Sequence, residues 1–537
     1  MGLRSRWTRP ALAAAALALL GSMTTAAATP AADTPNARPV SVAARIVPEP
    51  AQISDDPGTF RITPATAIHL GAPQAAGVAG QLAALLRPAT GYPLPITRAP
   101  APGGISLILD REGPRLGAEG YRLDVTAAGI AIRANQPAGL FYGVQTLHQL
   151  LPAAADATTR QPGPWLVPGA HVTDYPRFAY RGAMLDVSRH FFPVSVVEQY
   201  IDEISEYKVN YLHLHLSDDQ GWRIAINGWP RLTSYGGSTE VGGGPGGYYT
   251  QAQYKQIVAY AQAHFVTIVP EIDGPGHTNA ALASYAQLNC DGQAPPLYTG
   301  TDVGFSSLCV DSGITYTFEQ DVLDQLAALT PGPYLHVGGD EAQSTTAADY
   351  ATFENRLLPL VSGAGKAAIA WHDITAVDPP TSVVPEYWGT TTTDAGTAAA
   401  AARGNKIIMA PANKAYLDMK YTPSTKLGQN WAAYIEVQDA YDWDPGNYLQ
   451  GVGESSVLGV EAPIWSETLV TLANIQYLAF PRLPTIAELG WSPQATHDWS
   501  SFRVRLGQQG PRWTVDGMNF YASPQVPWAP GTKGGVD

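Results

Sequence analysis

Two adjacent acids, Asp340 and Glu341, are the residues best suited to chemistry in this sequence, and they follow the apolar segment 334–338. Further acids, an arginine, histidines and tryptophans follow other apolar segments. Carboxylates can hold hydroxyl groups and supply a proton, whereas indole rings stack on the apolar face of a sugar. An unspecialised loop rim would also contain lysines, so the combination indicates carbohydrate chemistry, although each acid taken singly could be a helix cap or a salt-bridge partner. These further residues are Asp186, Arg189, Asp218, Asp219, Glu271, Asp273, His277, Trp371, His372, Asp373, Trp388, Trp465 and Glu467.

The elements that must position these residues alternate in type. From about Tyr180 the chain repeats an apolar strand, a polar strand end, a loop and an amphipathic helix, which predicts an α/β fold with a (β/α)8 barrel. In such a barrel the C-terminal strand ends face one site. A doubly wound open sheet is the alternative, but no glycine-rich turn of the dinucleotide-binding kind follows a strand. The eight predicted strands are 182–186, 211–217, 267–271, 334–338, 368–372, 383–388, 406–410 and 458–462.

The start of the chain is typical of an export signal. Residues 1–28 combine a basic start, an Ala/Leu run and a small-residue end, so we expect a cleaved signal peptide and a secreted, extracellular protein. An uncleaved N-terminal anchor is the alternative, although the apolar run is short for a membrane span. Residues 29–45 are rich in Ala, Pro and Thr and predict a flexible linker.

Three further regions follow. Residues 46–176 mix short apolar strands with helical segments and predict a small α+β accessory domain with a structural role. The barrel is expected at 177–495, and a Trp/Pro-rich extension at 496–537 is expected to pack on the barrel and then fray.

The net charge of the chain limits the classes of partner that it can bind. It has 46 acidic and 32 basic residues among 537, a formal net charge of -14. This charge repels phosphate backbones and anionic headgroups, so we expect no nucleic acid and no membrane surface as partner. A neutral or cationic substrate fits better.

The two cysteines, Cys290 and Cys309, lie in one Gly/Pro/Ser-rich stretch. In an exported protein they predict a disulfide, worth about 3 kcal/mol by the chain-entropy model. Two unpaired thiols are the alternative. His213 and His215 point to one face of a strand and could suggest a metal, but neither a partner cysteine nor a third histidine stands at ligand spacing. A packed strand is the preferred interpretation.

Four segments resemble the motifs of family-20 glycoside hydrolases, in the order found in that family. They are RGAMLDVSRHF at 181–191, LHLHLSDDQGWR at 212–223, VPEIDGPGH at 269–277 and LHVGGDE at 335–341. The resemblance covers the predicted barrel to about Trp491, and the preceding α+β segment resembles the family's accessory domain. It implies a TIM barrel and an exo-acting retaining glycosidase that removes terminal β-linked N-acetylglucosamine or N-acetylgalactosamine from chitooligosaccharides or related glycans. No cofactor and no metal are implied, because an acid, an internal nucleophile and water suffice.

The resemblance also implies roles for the catalytic residues. Glu341 is expected to protonate the leaving oxygen and then to activate water. Asp340 would orient the 2-acetamido nitrogen and stabilise the oxazolinium ring, and Tyr416 would hydrogen-bond the acetamido oxygen. Asp218 and His277 would lie behind Glu341 as a hydrogen-bonded relay that adjusts its proton affinity.

The sugar pocket would have indole walls and polar groups that grip hydroxyls. The walls are expected to be Trp371, Trp388 and Trp465, and the hydroxyl-binding residues Arg189, Asp418 and Glu467.

The adjacency of Asp340 and Glu341 independently favours assistance by the substrate. Most retaining glycosidases place two carboxyls about 5 Å apart around the scissile bond. The side chains of adjacent residues on an extended segment point in opposite directions, so Asp340 and Glu341 are poorly placed to lie on both sides of one anomeric carbon. Two alternatives remain: a glycosidase that releases a disaccharide, which needs a longer pocket, and a non-catalytic binding barrel, which predicts loss of one of the two acids. The epimer, the natural polymer and the oligomeric state stay open.

Overall fold

The computed structural model describes residues 41–99 and 102–537. The predicted signal peptide and most of the predicted linker lie outside these residues. Within the described ranges, no helix combines the length and the apolar character that crossing a membrane requires.

The first part of the described chain is an α+β domain built on one mixed sheet. Strand order is β1-β7-β5-β6-β4-β2-β3. In β5 and β6 buried residues alternate with more exposed ones, and their buried residues share a core with the two helices. The elements are β1 Gln52–Ile62, β2 Ile68–Leu70, α1 Ala76–Thr90, β3 Ile96–Thr97, β4 Ile105–Leu109, β5 Tyr121–Thr126, β6 Gly129–Ala134, α2 Pro137–Leu150 and β7 Trp165–Asp174.

The second part is a closed barrel of eight parallel strands, in which each predicted strand is found. The (β/α)8 prediction is therefore confirmed, and the doubly wound open sheet is wrong. A short hairpin, β10 with β11, follows the second barrel strand. The strands are β8 Tyr180–Asp186, β9 Tyr211–His215, β10 Ser217–Asp218, β11 Gly221–Trp222, β12 Thr267–Glu271, β13 Tyr334–His336, β14 Ala367–Trp371, β15 Val384–Tyr387, β16 Ile407–Met409 and β17 Val457–Ile464.

Register in the barrel brings polar strand ends to one level. Asp186 pairs with His215, His215 with Glu271, and Glu271 with His336, on four neighbouring strands. This level lies at the C-terminal ends, where barrel enzymes carry their sites. The helices of this part are α3 Val194–Ser205, α4 Arg231–Ser234, α5 Gln251–Ala263, α6 Asn279–Ser284, α7 Gly313–Leu329, α8 Ala347–Gly363, α9 Ala395–Arg403, α10 Val437–Tyr441, α11 Leu472–Ala479 and α12 Arg482–Trp491.

The C-terminal extension differs from its prediction. It forms α13 Trp499–Gly507 and α14 Gly510–Asp516, and Arg512 of α14 bonds Asp156 of the first domain at 2.9 Å. The last residue, Asp537, accepts a hydrogen bond of 2.7 Å from the backbone N–H of Lys426. The expected fraying is therefore wrong, because long-range bonds hold the extension to its end.

The described end of the predicted linker is also ordered. Val42–Arg45 form a 3-10 helix whose Val42 is buried, and the Ser41 hydroxyl donates to Asp55 at 3.1 Å. Residues 41–45 therefore belong to the folded domain, because Val42 packs in its core.

The predicted disulfide between Cys290 and Cys309 is present, with 4.8 Å between the two Cα atoms. It closes a loop between α6 and α7 at the barrel mouth.

Candidate active site

The loop after β13 carries both central acids in a strained conformation. Gly338 and Gly339 have φ angles of 67° and 95°, and Glu341 has a φ of 47°. A Cβ at Gly338 would overlap the Asp273 carboxylate. Asp273 in turn accepts a hydrogen bond of 3.0 Å from the Gly339 N–H. The left-handed region favours glycine, so a non-glycine residue held there marks a position fixed by its surroundings.

A histidine and an acid stand behind Glu341 in the predicted order. His277 Nε2 lies 3.4 Å from Glu341 Oε2 and 3.7 Å from Asp340 Oδ2. On its other side, His277 Nδ1 is 3.2 Å from Asp218 Oδ1. Burial opposes a charge on His277, but the carboxylates of Asp218 and Asp340 outweigh it and raise the pKa of His277 well above its ordinary value. The imidazolium is therefore the form that faces the two acids.

Asp218 contacts both His277 and Arg189, which is one of the predicted hydroxyl-binding residues. Its Oδ2 lies 2.8 Å from Arg189 Nη2 and 2.7 Å from His215 Nε2. Its Oδ1 lies 3.2 Å from His277 Nδ1 and also accepts the backbone N–H of Asp219 at 2.6 Å. Burial disfavours the charged carboxylate, yet Arg189 and His277 hold the pKa of Asp218 well below its usual range. One ionised carboxylate therefore orients both Arg189 and the histidine behind Glu341.

Asp340 has a different environment from Glu341. It is 8% exposed, and its Oδ1 is buried without a hydrogen-bond partner in the described part of the chain. Burial raises the pKa of Asp340 to about 7, His277 opposes this rise, and the negative charge of Glu341 adds to it. A buried acceptor without a partner is costly, so this oxygen is poised to receive a donor from a ligand.

The cavity in front of these acids is a pocket of about 310 Å³. This volume is at the lower end of the roughly 300–1,000 Å³ found for ligand pockets, as expected for a single sugar unit. The predicted site residues that line it are Arg189, Asp340, Glu341, Trp388, Tyr416, Asp418, Trp465 and Glu467.

Sequence reasoning missed four further lining residues, Thr301, Val303, Gln429 and Trp431. Trp431 is the most prominent of these because its side chain is 55% exposed at the pocket rim. All four lie in long loops away from predicted strand ends. An indole in the polar segment 428–431 was the one signal that could have indicated Trp431.

The prediction that Trp371 forms a wall of the pocket differs from the structure. Trp371 is fully buried and does not line the cavity. Its indole N–H donates to Glu271 Oε1 at 3.0 Å, and its ring lies 5.8 Å from that of Trp465. Trp371 therefore supports the wall from behind, because its hydrogen bond turns the ring toward the barrel interior.

The hydroxyl-binding candidates sit deep in the pocket. Both carboxylate oxygens of Asp418 and one of Glu467 are buried without a protein partner among the described residues. Burial, followed by the charge of Glu467, raises the pKa of Asp418 well above its ordinary value. Burial also raises the pKa of Tyr416 well above its ordinary value, so its hydroxyl keeps the proton and can donate it in a hydrogen bond.

The two strand histidines occupy the barrel interior. His213 bonds Glu461 at 2.8 Å and Glu271 at 3.0 Å, and His215 bonds Glu271 and Asp218. Several buried His/Asp/Glu groups here have ligand atoms within 4.8 Å of one another. Both ring nitrogens of each histidine are already engaged by carboxylates, which matches the packed-strand interpretation rather than a metal site.

Comparisons with known proteins agree with this geometry. A model described as "Glycosyl hydrolase family 20, catalytic domain" matches residues 178–494, and one described as "Glycosyl hydrolase family 20, domain 2" matches residues 43–175. A β-N-acetylhexosaminidase of Cellulomonas fimi is 40% identical over 496 residues, which cover 91% of this chain and 99% of that protein.

Solved structures show the same similarity. The GH20 β-N-acetylhexosaminidase from Streptomyces coelicolor A3(2) matches with a TM-score of 0.90 at 55% identity, over 92% of this chain and 100% of that chain. A mutant Streptomyces plicatus β-hexosaminidase in complex with the product GlcNAc matches with a TM-score of 0.89 at 56% identity, over 92% and 99% of the two chains. On the family models and these relatives, the chain belongs to glycosyl hydrolase family 20.

Proposed function

We propose that the pocket binds one terminal N-acetylhexosamine and that Asp340 and Glu341 divide the catalytic work on it. The protein is a β-N-acetylhexosaminidase, an exo-acting retaining glycosidase that uses substrate-assisted catalysis. The observation that supports the division is the contrast between the two acids. Asp340 is buried with an oxygen that lacks a protein partner among the described residues, whereas the Glu341 side chain is 29% exposed.

In the first step the acetamido oxygen of the bound sugar attacks C1 as the bond to the leaving oxygen breaks. Glu341 donates its proton to that oxygen. The Asp340 carboxylate accepts the acetamido N–H and faces the positive charge that develops on the oxazolinium ring. The Tyr416 hydroxyl donates to the acetamido oxygen and turns it toward C1.

In the second step water attacks C1 from the face that the leaving group vacated. Glu341, now ionised, takes the proton from this water, and the acetamido group is restored. Two displacements at C1 give net retention of the β configuration. His277 and Asp218 would support both halves of the cycle, because one carboxyl must first release and then accept a proton.

Sugar binding would rest on charged groups and indoles. Arg189, Asp418 and Glu467 are available to the hydroxyls, and the rings of Trp388 and Trp465 form apolar walls. Trp371 would act indirectly, by holding Trp465 in place.

The products from a chitin tetrasaccharide test this function. N-acetylglucosamine and the trisaccharide as the only early products, with the β anomer of the released monosaccharide seen first by NMR, are the expected result. Early release of the disaccharide would favour the longer-pocket alternative, and binding without hydrolysis would favour the non-catalytic barrel.

Chitooligosaccharides and related glycans in the extracellular space are the proposed natural substrates. The predicted signal peptide at 1–28 and the disulfide both fit an exported enzyme. Mass spectrometry of protein from the culture medium tests this. A mature N-terminus near residue 29 is expected, and an intact N-terminus on cell-bound protein would favour the anchor.

A further inference from the structure

A second cavity adjoins the sugar pocket at the general acid. This acidic groove has a volume of about 710 Å³ and shares Glu341 and Trp388 with the pocket. It extends over the loops after β13, β14 and β15, where Gln343, Asp373 and Asp394 line it. The side chains of Glu341 and Trp388 therefore face both the groove and the sugar pocket.

Its position relates the groove to the leaving group. The pocket of about 310 Å³ accommodates one sugar, so the rest of the substrate must continue outside it. Glu341 protonates the leaving oxygen and must face the leaving group when it does so. The groove has Glu341 in its wall and more than twice the volume of the pocket, enough for further sugar units.

The charges of the groove are of one sign. Asp373 and Asp394 line it beside Glu341, which carries its proton when the substrate binds, and neither lysine nor arginine lines it in the part of the chain that the structure describes. Burial lowers the pKa of His372 despite the opposing charges of Asp373 and Asp394, which favours the neutral form of this neighbour.

The carboxylates of Asp373 and Asp394 are each held in place by a hydrogen bond to the protein. Asp373 Oδ2 accepts the Trp388 indole N–H at 3.0 Å, and Asp394 Oδ1 caps α9 by accepting the Thr397 N–H at 2.6 Å. The other oxygen of each acid makes no hydrogen bond to the described residues and is free for a ligand.

We propose that the acidic groove binds the leaving-group sugar and selects for a cationic amino sugar there, so that N-acetylglucosamine linked to glucosamine is a preferred substrate. This inference rests on the proposed function and adds its leaving-group class. A protonated amine would donate to Asp373 and Asp394, a neutral sugar would gain less, and a carboxylated sugar would be repelled. Partially deacetylated chitin presents the favoured unit.

The test compares kcat/KM for three disaccharides that carry terminal β-linked N-acetylglucosamine. Their leaving groups are glucosamine, N-acetylglucosamine and glucuronic acid, at a pH where the amine is protonated. We expect the glucosamine substrate to be preferred over the neutral one by about threefold to tenfold at low salt, because exposed ion pairs are individually weak. High salt should reduce the preference, and the glucuronic acid substrate should be slowest.

Charge-removing variants locate the effect. Asp394→Asn keeps the helix cap and should reduce the preference about twofold to threefold, and Asp373→Asn together with Asp394→Asn should abolish it. Each ratio compares two substrates of one variant, so a general loss of activity cancels. The matched control, Asp302→Asn, removes an exposed acid next to Val303, which lines the sugar pocket but not the groove, and should leave the preference unchanged.

Three results would overturn the proposal. These are no preference in wild type, a preference that survives the double change, or a preference lost in Asp302→Asn, which would place the leaving group beside Val303 instead of in the groove. Failure to cleave any N-acetylglucosaminide would instead contradict the proposed function.

Discussion

Replacing Asp340 by asparagine separates the charge of this residue from its shape. Burial raises the pKa of Asp340 from 3.8 to about 7 even though His277 opposes the rise. Each tenfold change in proton affinity is worth about 1.4 kcal/mol, so the ionised form in the folded protein is disfavoured by up to about 4 kcal/mol. As the positive charge of the oxazolinium develops beside the carboxylate, the attraction between the two charges would offset this energy in the transition state and so lower the barrier.

The amide of the substituted side chain would keep an acceptor for the acetamido N–H but would not recover the charge interaction. We therefore expect Asp340→Asn to lower kcat on an aryl N-acetylglucosaminide by up to about 10³-fold, with a much smaller change in KM. Steady-state kinetics measure both parameters. Asp349→Asn makes the same chemical change in the first turn of α8 at a residue that does not line the pocket, and it should leave kcat unchanged.

Thermal unfolding of the same variant measures how the Asp340 carboxyl affects stability. A carboxyl whose pKa is raised in the folded state holds its proton more tightly than in the unfolded state, so wild-type stability falls as the pH rises from about 4 to about 7. Asp340→Asn lacks this contribution and should be at least as stable as wild type near pH 8. A loss of kcat below about threefold, or a strongly destabilised variant, would refute the assignment.

Other side chains give further predictions. Glu341→Gln should lower kcat/KM by about 10²-fold to 10⁴-fold on substrates with poor leaving groups and far less on activated aryl substrates, because an acidic leaving group needs little protonation. An equal loss of kcat/KM on all leaving groups would contradict the role of Glu341 as the general acid. Glu319 is buried in α7, and burial raises its pKa to about 8. Wild-type stability should therefore fall as the pH rises from about 4.5 to 8, and Glu319→Gln should weaken this dependence in thermal melts; an unchanged slope would show that the carboxyl is solvated. Changing Cys290 and Cys309 to serine should lower the free energy of unfolding by about 3 kcal/mol, which denaturant melts measure. It should also raise KM more than it lowers kcat, since the closed loop carries the rim residue Val303. Unchanged stability together with unchanged kinetics would contradict this prediction.

Much of the barrel could be predicted because each strand is a short apolar run that ends in polar residues. This pattern is local, so it survives without knowledge of the partner strands. The segment 334–341 illustrates this, since its strand, its glycine turn and its two acids all follow from neighbouring residues.

Features that depend on distant contacts could not be predicted in the same way. Trp371 ends a strand like other site residues, but its hydrogen bond to Glu271, 100 residues earlier, holds it behind the wall. The order of the C-terminal extension depends on Arg512 and its contact with the first domain. Trp431 lies in a loop, whose path is set by packing rather than by a periodic pattern.

The central claim is that the substrate's acetamido group is the nucleophile and that Asp340 assists it. Its most direct test is the rate on an aryl β-N-acetylglucosaminide beside the matching aryl β-glucoside, with a thiazoline mimic of the cyclic intermediate as inhibitor. We predict cleavage of the acetamido sugar alone and tight inhibition by the thiazoline. Comparable cleavage of both substrates without thiazoline inhibition would contradict the account, because it would require a nucleophile from the protein.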